Sequence, residues 1–268
     1  MKKVNLSKEQ IKEVIELYTI KKFSIKKIAD KFQLSNIPIT RILKENGVKI
    51  VNNTQFVKKY SLNEQYFKDI DTEDKAYYLG YLYADGYVSI KRNSVTLTLQ
   101  EEDLPIIEKF KDVINTNKPI YTIKPPKKFL HRKVLKTLMI VNKYFYKHLI
   151  DKGCLNNKSF ILEFPTQVPD NLIHHFIRGY FDGDGCIWYK NGKNPCVEIV
   201  GTEMFLTCLQ DLLINKIGLN KTKLSCRFPN RNNTTRTLRF SSKKDVQNFK
   251  DFIYSNATIY LERKKTKF

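Results

Sequence analysis

Two nine-residue stretches constrain this chain more than anything else in it. "YLGYLYADG" (78–86) and "IRGYFDGDG" (177–185) each run from an apolar helical segment through small residues into Asp-Gly. Gly80 and Ala84 are spaced i,i+4, as are Gly179 and Gly183, so each pair lies on one helical face. Glycine inside a helix is worse than alanine by about 1 kcal/mol, and a carboxylate at a helix C-terminus meets the negative end of the macrodipole. One arrangement accounts for both features. Two helices packed along their small residues bring their backbones close, and Asp85 and Asp184 arrive at one point. The steric argument is best known from membranes, but it holds equally in water. A single Asp-Gly reads as an ordinary turn; two of them, 99 residues apart with the same approach, read as a duplication.

The segments downstream of the two stretches are also alike. After the first come strand-like "YVSIK" and "SVTLTLQ", a helix at "DLPIIEKFKDVI", strands near 119–124 and 133–141, and the helix "KYFYKHLIDKG". After the second come "CIWYK", "PCVEIVG", the helix "EMFLTCLQDLLINKIG", strands "TKLSCRF" and "TRTLRFS", and the helix "KKDVQNFKDFIYSN". The predicted order is α-β-β-α-β-β-α, twice, an α+β fold of two pseudo-symmetric halves. Two neighbouring carboxylates at two negative helix ends call for a divalent cation, Mg²⁺ or Mn²⁺. Such an ion takes oxygen ligands and keeps waters and substrate phosphates, and it supports phosphodiester cleavage.

The two stretches resemble the paired signature motifs of LAGLIDADG homing endonucleases in the single-chain form, over roughly residues 73–268. The resemblance implies a tandem αββαββα core around a pseudo-twofold axis, with repeats at 73–168 and 169–268. It implies a site-specific double-strand break in a long DNA target, made across the minor groove with divalent metal. The metal-binding acids fall on Asp85 and Asp184. At the sixth motif position this chain has Asp182 in one copy and Tyr83 in the other. The family's lysine near the metals matches Lys158, and a second candidate is Lys264. Gln100 matches a polar residue at the end of the second strand, with Gly201 expected as its counterpart.

Alternation within the strands gives each a polar face. In "SVTLTLQ", Val95, Leu97 and Leu99 turn inward and Ser94, Thr96, Thr98 and Gln100 outward; in "TKLSCRF", Lys223, Ser225 and Arg227 turn outward. Such faces can read a major groove, and Lys91, Arg92, Arg236 and Arg239 lie in or beside the hairpins as candidate contacts, chiefly to phosphate. Residues 1–50 read as a separate all-α module carrying twelve Lys/Arg against five Asp/Glu. Ser7 with Gln10 forms a capping-box signature, Ser24 and Ser35 are candidate N-caps, and Gly47 is a candidate stop. "FSIKKIADKFQLSNIPITRILKENG" resembles a helix-turn-helix DNA-binding unit, with Gln33 where glycine is common. The resemblance implies that Asn36, Ile37, Thr40, Arg41 and Lys44 face DNA. Residues 51–72 lack periodicity and read as a linker.

The formal net charge of +21 points to a polyanionic partner, double-stranded DNA above all. No apolar run reaches bilayer length, and the lysines of "MKKVNLSKEQ" precede no signal-like core. Five cysteines without CxxC spacing read as reduced thiols rather than a zinc site or a disulfide framework. The expectation is a cytoplasmic, nucleoid-associated monomer, either free-standing or intron-encoded, since the ends lack intein chemistry. His174 and His175 read as incidental. Two rivals stay open: a catalytically silent transcription regulator and an intron RNA maturase on the same scaffold.

Overall fold

The computed structural model describes residues 6–50, 60–126, 128, 132–156, 158–226 and 235–268. The chain divides into two compact units, residues 1–61 and 62–268.

The smaller unit has three helices: α1 (Lys8–Thr19), α2 (Ile25–Lys31) and α3 (Asn36–Glu45). The capping box forms: Gln10 N donates to Ser7 Oγ at 3.2 Å, and Ser7 N to Gln10 Oε1 at 2.9 Å. Ser24 Oγ likewise accepts from Lys27 N at 3.2 Å. Ser35 has the extended N-cap backbone, but its side chain makes no cap bond. The core is Val14, Leu17, Tyr18, Ile28, Ala29, Ile39, Ile42 and Leu43. Ile11 and Ile15 are half-buried and pack against it. Between α2 and α3 the chain turns through Gln33 at φ +55°, the left-handed conformation glycine would supply more cheaply.

The larger unit has the duplicated order. Its first half holds α4 (Glu73–Asp85), β1 (Gly86–Ser89), β2 (Ser94–Gln100), α5 (Leu104–Val113), β3 (Tyr121–Ile123), β4 (Leu135–Val141), α6 (Lys143–Asp151) and the short α7 (Lys158–Ile161). Its second half holds α8 (Ile173–Asp184), β5 (Gly185–Lys190), β6 (Asn194–Thr202), α9 (Glu203–Ile217), β7 (Ser225–Cys226), β8 (Thr235–Phe240), α10 (Lys243–Tyr254) and the short α11 (Glu262–Lys265). Two antiparallel four-stranded sheets result, ordered β1-β2-β4-β3 and β5-β6-β8-β7. One hydrophobic core serves both halves, with α4 and α8 at its centre.

Three sequence expectations need correction. Residues 62–72 are not linker: Tyr66, Phe67 and Ile70 are buried in the core, and the Phe67 ring lies 5.4 Å from that of Phe145. Aperiodicity misled because these residues form an irregular strap rather than an amphipathic element; residues 51–59 lie outside the described residues. Ser94 is not on an open polar face but 1 % exposed. The counterpart of Gln100 is Thr202, not Gly201. Gly86 pairs with Leu97 but Gly185 with Ile199, so the second hairpin is three residues longer. The longer hairpin shifts every outward position on β6.

Candidate functional site

The site begins with the helix seam. Along most of α4 and α8 every side chain is buried, a pattern that suits the central layer of a core. Gly80 and Gly179 contact each other's helices reciprocally. A Cβ on Gly80 would lie 2.0 Å from Phe176 O and 2.9 Å from Tyr180 N; one on Gly179 would lie 1.9 Å from Tyr77 O and 2.9 Å from Tyr81 N. Each contact reproduces the other with residue numbers shifted by 99, so the helices run parallel about a local twofold. Further along, a Cβ on Gly183 would lie 2.2 Å from the Ala84 Cβ and 3.3 Å from Asp85 Oδ2. The four small residues therefore sit where two backbones touch, and Asp85 reaches over Gly183, beside Asp184.

Both acids keep a solvent-open side. Loss of water on the protein side, together with the facing carboxylate of Asp85, pushes Asp184 up to about 6. Asp85 is raised as well, by desolvation, against the pull of Lys158 and Lys264. This is an electrostatic deficit at the C-terminal ends of two helices.

Two lysines answer part of it. Lys158 Nζ donates to Leu82 O and Gly86 O, each at 2.6 Å. Lys264 Nζ donates to Phe181 O at 2.8 Å, Gly183 O at 3.0 Å and Gly185 O at 2.6 Å. Leu82 and Phe181 are equivalent, as are Gly86 and Gly185, so both repeats cap the acid-bearing helix with a cation from the end of the same repeat. Desolvation lowers both ammonium groups, Lys264 to about 8. Both lysines hold backbone carbonyls at the end of an acid-bearing helix.

The sixth motif position also has a structural task. Asp182 is 1 % exposed; it accepts from Tyr77 Oη at 2.9 Å, Tyr254 Oη at 3.3 Å and Leu261 N at 2.8 Å. Burial raises it to about 6. At the equivalent point Tyr83 Oη donates to Lys152 O. Opposite chemistry thus ties each helix to the segment that leads to its lysine.

Several site residues carried little signal in the sequence. Arg178, fully buried, donates from Nε to Ile259 O (2.8 Å), from Nη1 to Ile253 O (2.8 Å) and His175 Nδ1 (2.7 Å), and from Nη2 to Glu73 Oε1 (2.6 Å). His175 is therefore not incidental. Asp103, 5 % exposed, takes a two-pronged bond from Arg263 at 2.8 and 2.7 Å, which anchors the helix carrying Lys264 to the first half. The only hint was a charge inside an apolar run: Arg178 stands where the first repeat has Leu79.

The remaining candidates scatter. Thr96, Thr98 and Gln100 lie on the outward face of the first sheet; Thr98 Oγ1 and Thr137 Oγ1 are 2.8 Å apart. Lys91, Arg92 and Lys223 are exposed near strand ends. Arg239 is outward and ion-paired with Glu198 at 2.6 Å. Arg236 is on the other side of its strand, towards α9, and pairs with Glu203 at 3.1 Å, because it alternates with Thr237 and Arg239. Arg227 lies outside the described residues. In the smaller unit Asn36, Arg41 and Lys44 are exposed, while the Thr40 hydroxyl turns back onto Asn36 O at 2.8 Å. Among the described residues, no group of three or more His, Cys, Asp or Glu side chains could hold a metal ion. No described helix is long and apolar enough to cross a membrane.

Residues 171–254 match the model of the LAGLIDADG-like domain family, so the second half carries a LAGLIDADG-like domain. No curated protein sequence matches the chain. Among solved structures, the homing endonuclease I-WcaI bound to its DNA recognition sequence is similar at 17 % identity and TM-score 0.53. The match covers 84 % of this chain and 96 % of that one. The meganuclease I-AabMI bound to uncleaved DNA is similar at 14 % identity and TM-score 0.45, over 72 % and 87 % of the chains. The N-terminal LAGLIDADG domain of DUF199/WhiA is similar at 18 % identity and TM-score 0.45, over 72 % and 89 %. The likeness to I-WcaI places the larger unit in the αββαββα fold.

Proposed function

We propose that this LAGLIDADG-like protein is a site-specific endonuclease that breaks both strands of a long DNA target by divalent-metal-dependent phosphodiester hydrolysis. The reading rests on one observation: the reciprocal glycine seam delivers Asp85 and Asp184 to one end of a helix pair, where both carboxylates are raised and neither has an ionic partner strong enough to settle it. Two carboxylates without a third acid suit a hard cation, Mg²⁺ or Mn²⁺, whose other ligands are waters and the substrate's own phosphates. When bound, such an ion supplies activated water and charge stabilisation at the leaving oxygen.

The chain's residues do the rest. Gly80, Ala84, Gly179 and Gly183 set the spacing between the acids. Lys158 and Lys264 are positioning residues: they offset the negative helix ends and hold the last turns rigid under Asp85 and Asp184. Both outward sheet faces flank the acids and track the duplex. In the smaller unit, Asn36, Thr40, Arg41 and Lys44 add affinity and lengthen the site as a helix-turn-helix module. One chain supplies both halves, so the protein works as a monomer. The DNA-bound I-WcaI structure, on the same fold, supports a duplex as substrate.

The test is to incubate the protein with DNA flanking its own gene and Mg²⁺, beside Asp184→Asn. Cutting by the wild type alone, with binding by both, is the expected result. Binding by both without cutting points to a regulator, and binding confined to intron RNA points to a maturase; either overturns the nuclease reading.

A further inference from the structure

The two sheets begin at the acids: β1 starts at Gly86, next to Asp85, and β5 at Gly185, next to Asp184. A duplex whose backbone meets the acids must run along the outward faces of both sheets. Equivalent cross-strand rows on those faces differ in chemistry. One row of the first sheet presents Tyr87, Thr96 and Met139, and its equivalent on the second presents Cys186, Glu198 and Arg239. In an adjacent row the first sheet has Thr98, Thr137 and Tyr121 against Val200 and Ser225, with Thr237 buried between them. The first sheet's third row is Gln100, Leu135 and Ile123.

None of these nine first-sheet positions is ionisable at neutral pH. Three of them are large and open: Tyr87 is 62 % exposed, Tyr121 50 % and Ile123 47 %. Lys133 sits at the edge, donating to Gln100 Oε1 at 2.6 Å and Glu102 Oε1 at 2.9 Å. On the second sheet the position of Met139 is taken by Arg239, whose Nη2 is 2.6 Å from Glu198 Oε1.

Base edges in a major groove offer one apolar feature, the thymine methyl, and one double acceptor suited to a guanidinium, guanine N7 and O6. Resting on the reading of this protein as a DNA-binding enzyme, we propose that the target is chemically lopsided. The half under the first sheet is A·T-rich and is read through thymine methyls by Tyr87, Met139 and Tyr121. The half under the second sheet contains a guanine read by Arg239, with Glu198 fixing the guanidinium. Phosphate contacts position both halves without specifying either.

The test selects binders from a randomised duplex library with the full chain in the absence of divalent metal, so that cutting plays no part. Enriched sites should carry an A·T run on one side of the centre and a fixed G·C on the other. Replacing the thymines of that run with deoxyuridine, which lacks only the methyl, should weaken binding by about fourfold per contacted base. Tyr87→Ala, at an exposed position, should abolish that sensitivity at one base of the run and leave it at the bases under Met139 and Tyr121. Arg239→Ala should lose about tenfold on the guanine-bearing site and little on others. Indifference to uracil, or a uniform loss across sequences in Arg239→Ala, overturns the assignment. A library from which no duplex enriches overturns the DNA-binding reading itself.

Discussion

Gly179→Ala tests the seam most directly. In an exposed helix this substitution would gain about 1 kcal/mol. Here the added methyl would lie 1.9 Å from Tyr77 O and 2.9 Å from Tyr81 N, both backbone atoms of α4. No rotamer change can relieve a contact with main chain, so the helices must part by about 1.5 Å to restore ordinary van der Waals distance. Overpacking of this kind outweighs the propensity gain, and a net loss of about 2–3 kcal/mol is expected. For a domain of this size that is a fall in melting temperature of roughly 5–10 °C. Gly80→Ala meets the same surroundings by symmetry and should lose a similar amount. The double variant should lose less than the sum, because the first methyl has already opened the seam for the second. Urea and thermal unfolding of the four proteins read these values. The opening also separates Asp85 from Asp184, so DNA cleavage should fall further than stability does. Wild-type stability in either single variant, or full additivity in the double, would refute the close-packed seam.

Lys264→Met removes three bonds to carbonyls and Lys158→Met two, so both should destabilise, the former more, by roughly 2–4 kcal/mol; equal stability of Lys264→Met and wild type in urea unfolding would contradict the capping role. Desolvation, then Arg178 and His174, hold His175 at about 4, below its ordinary 6.5. The neutral ring accepts from Arg178, so its contribution to stability is complete above pH 6.5 and is lost as pH falls towards 4. Melting temperatures measured across that range should fall more steeply for the wild type than for His175→Gln. Gln33→Gly relieves a left-handed backbone in the smaller unit and should stabilise it by up to about 1 kcal/mol, read by circular dichroism during thermal unfolding of the full chain.

Much of this architecture is legible in the sequence because its signals are local. The repeat, the i,i+4 small residues and the strand alternation are each written within fewer than fifteen residues. They predicted the seam, the element order and the outward Thr96 and Thr98. The features that escaped depend on distance. Tyr66 and Phe67 are core residues in a stretch without period, and only the surrounding helices give them a place. The register of β6 is set by a hairpin three residues longer than its twin, so Gly201, at the end of the strand-like run, is not the counterpart of Gln100. Arg178 with Glu73, and Asp182 with Tyr77, are partners across more than a hundred residues, and no spacing rule links them. For Lys158 and Lys264, position was readable but task was not, since a nearby cation can face solvent or carbonyls.

The bonds across the centre are handed. α4 brings Glu73 and Tyr77; α8 brings Arg178 and Asp182 to meet them. A pair of second halves would bury two guanidinium groups against Leu172 in place of Glu73, and two carboxylates against Phe176 in place of Tyr77. Each half therefore rejects a copy of itself and accepts only its neighbour along the chain. Chimaeras that exchange one half must exchange these four side chains with it.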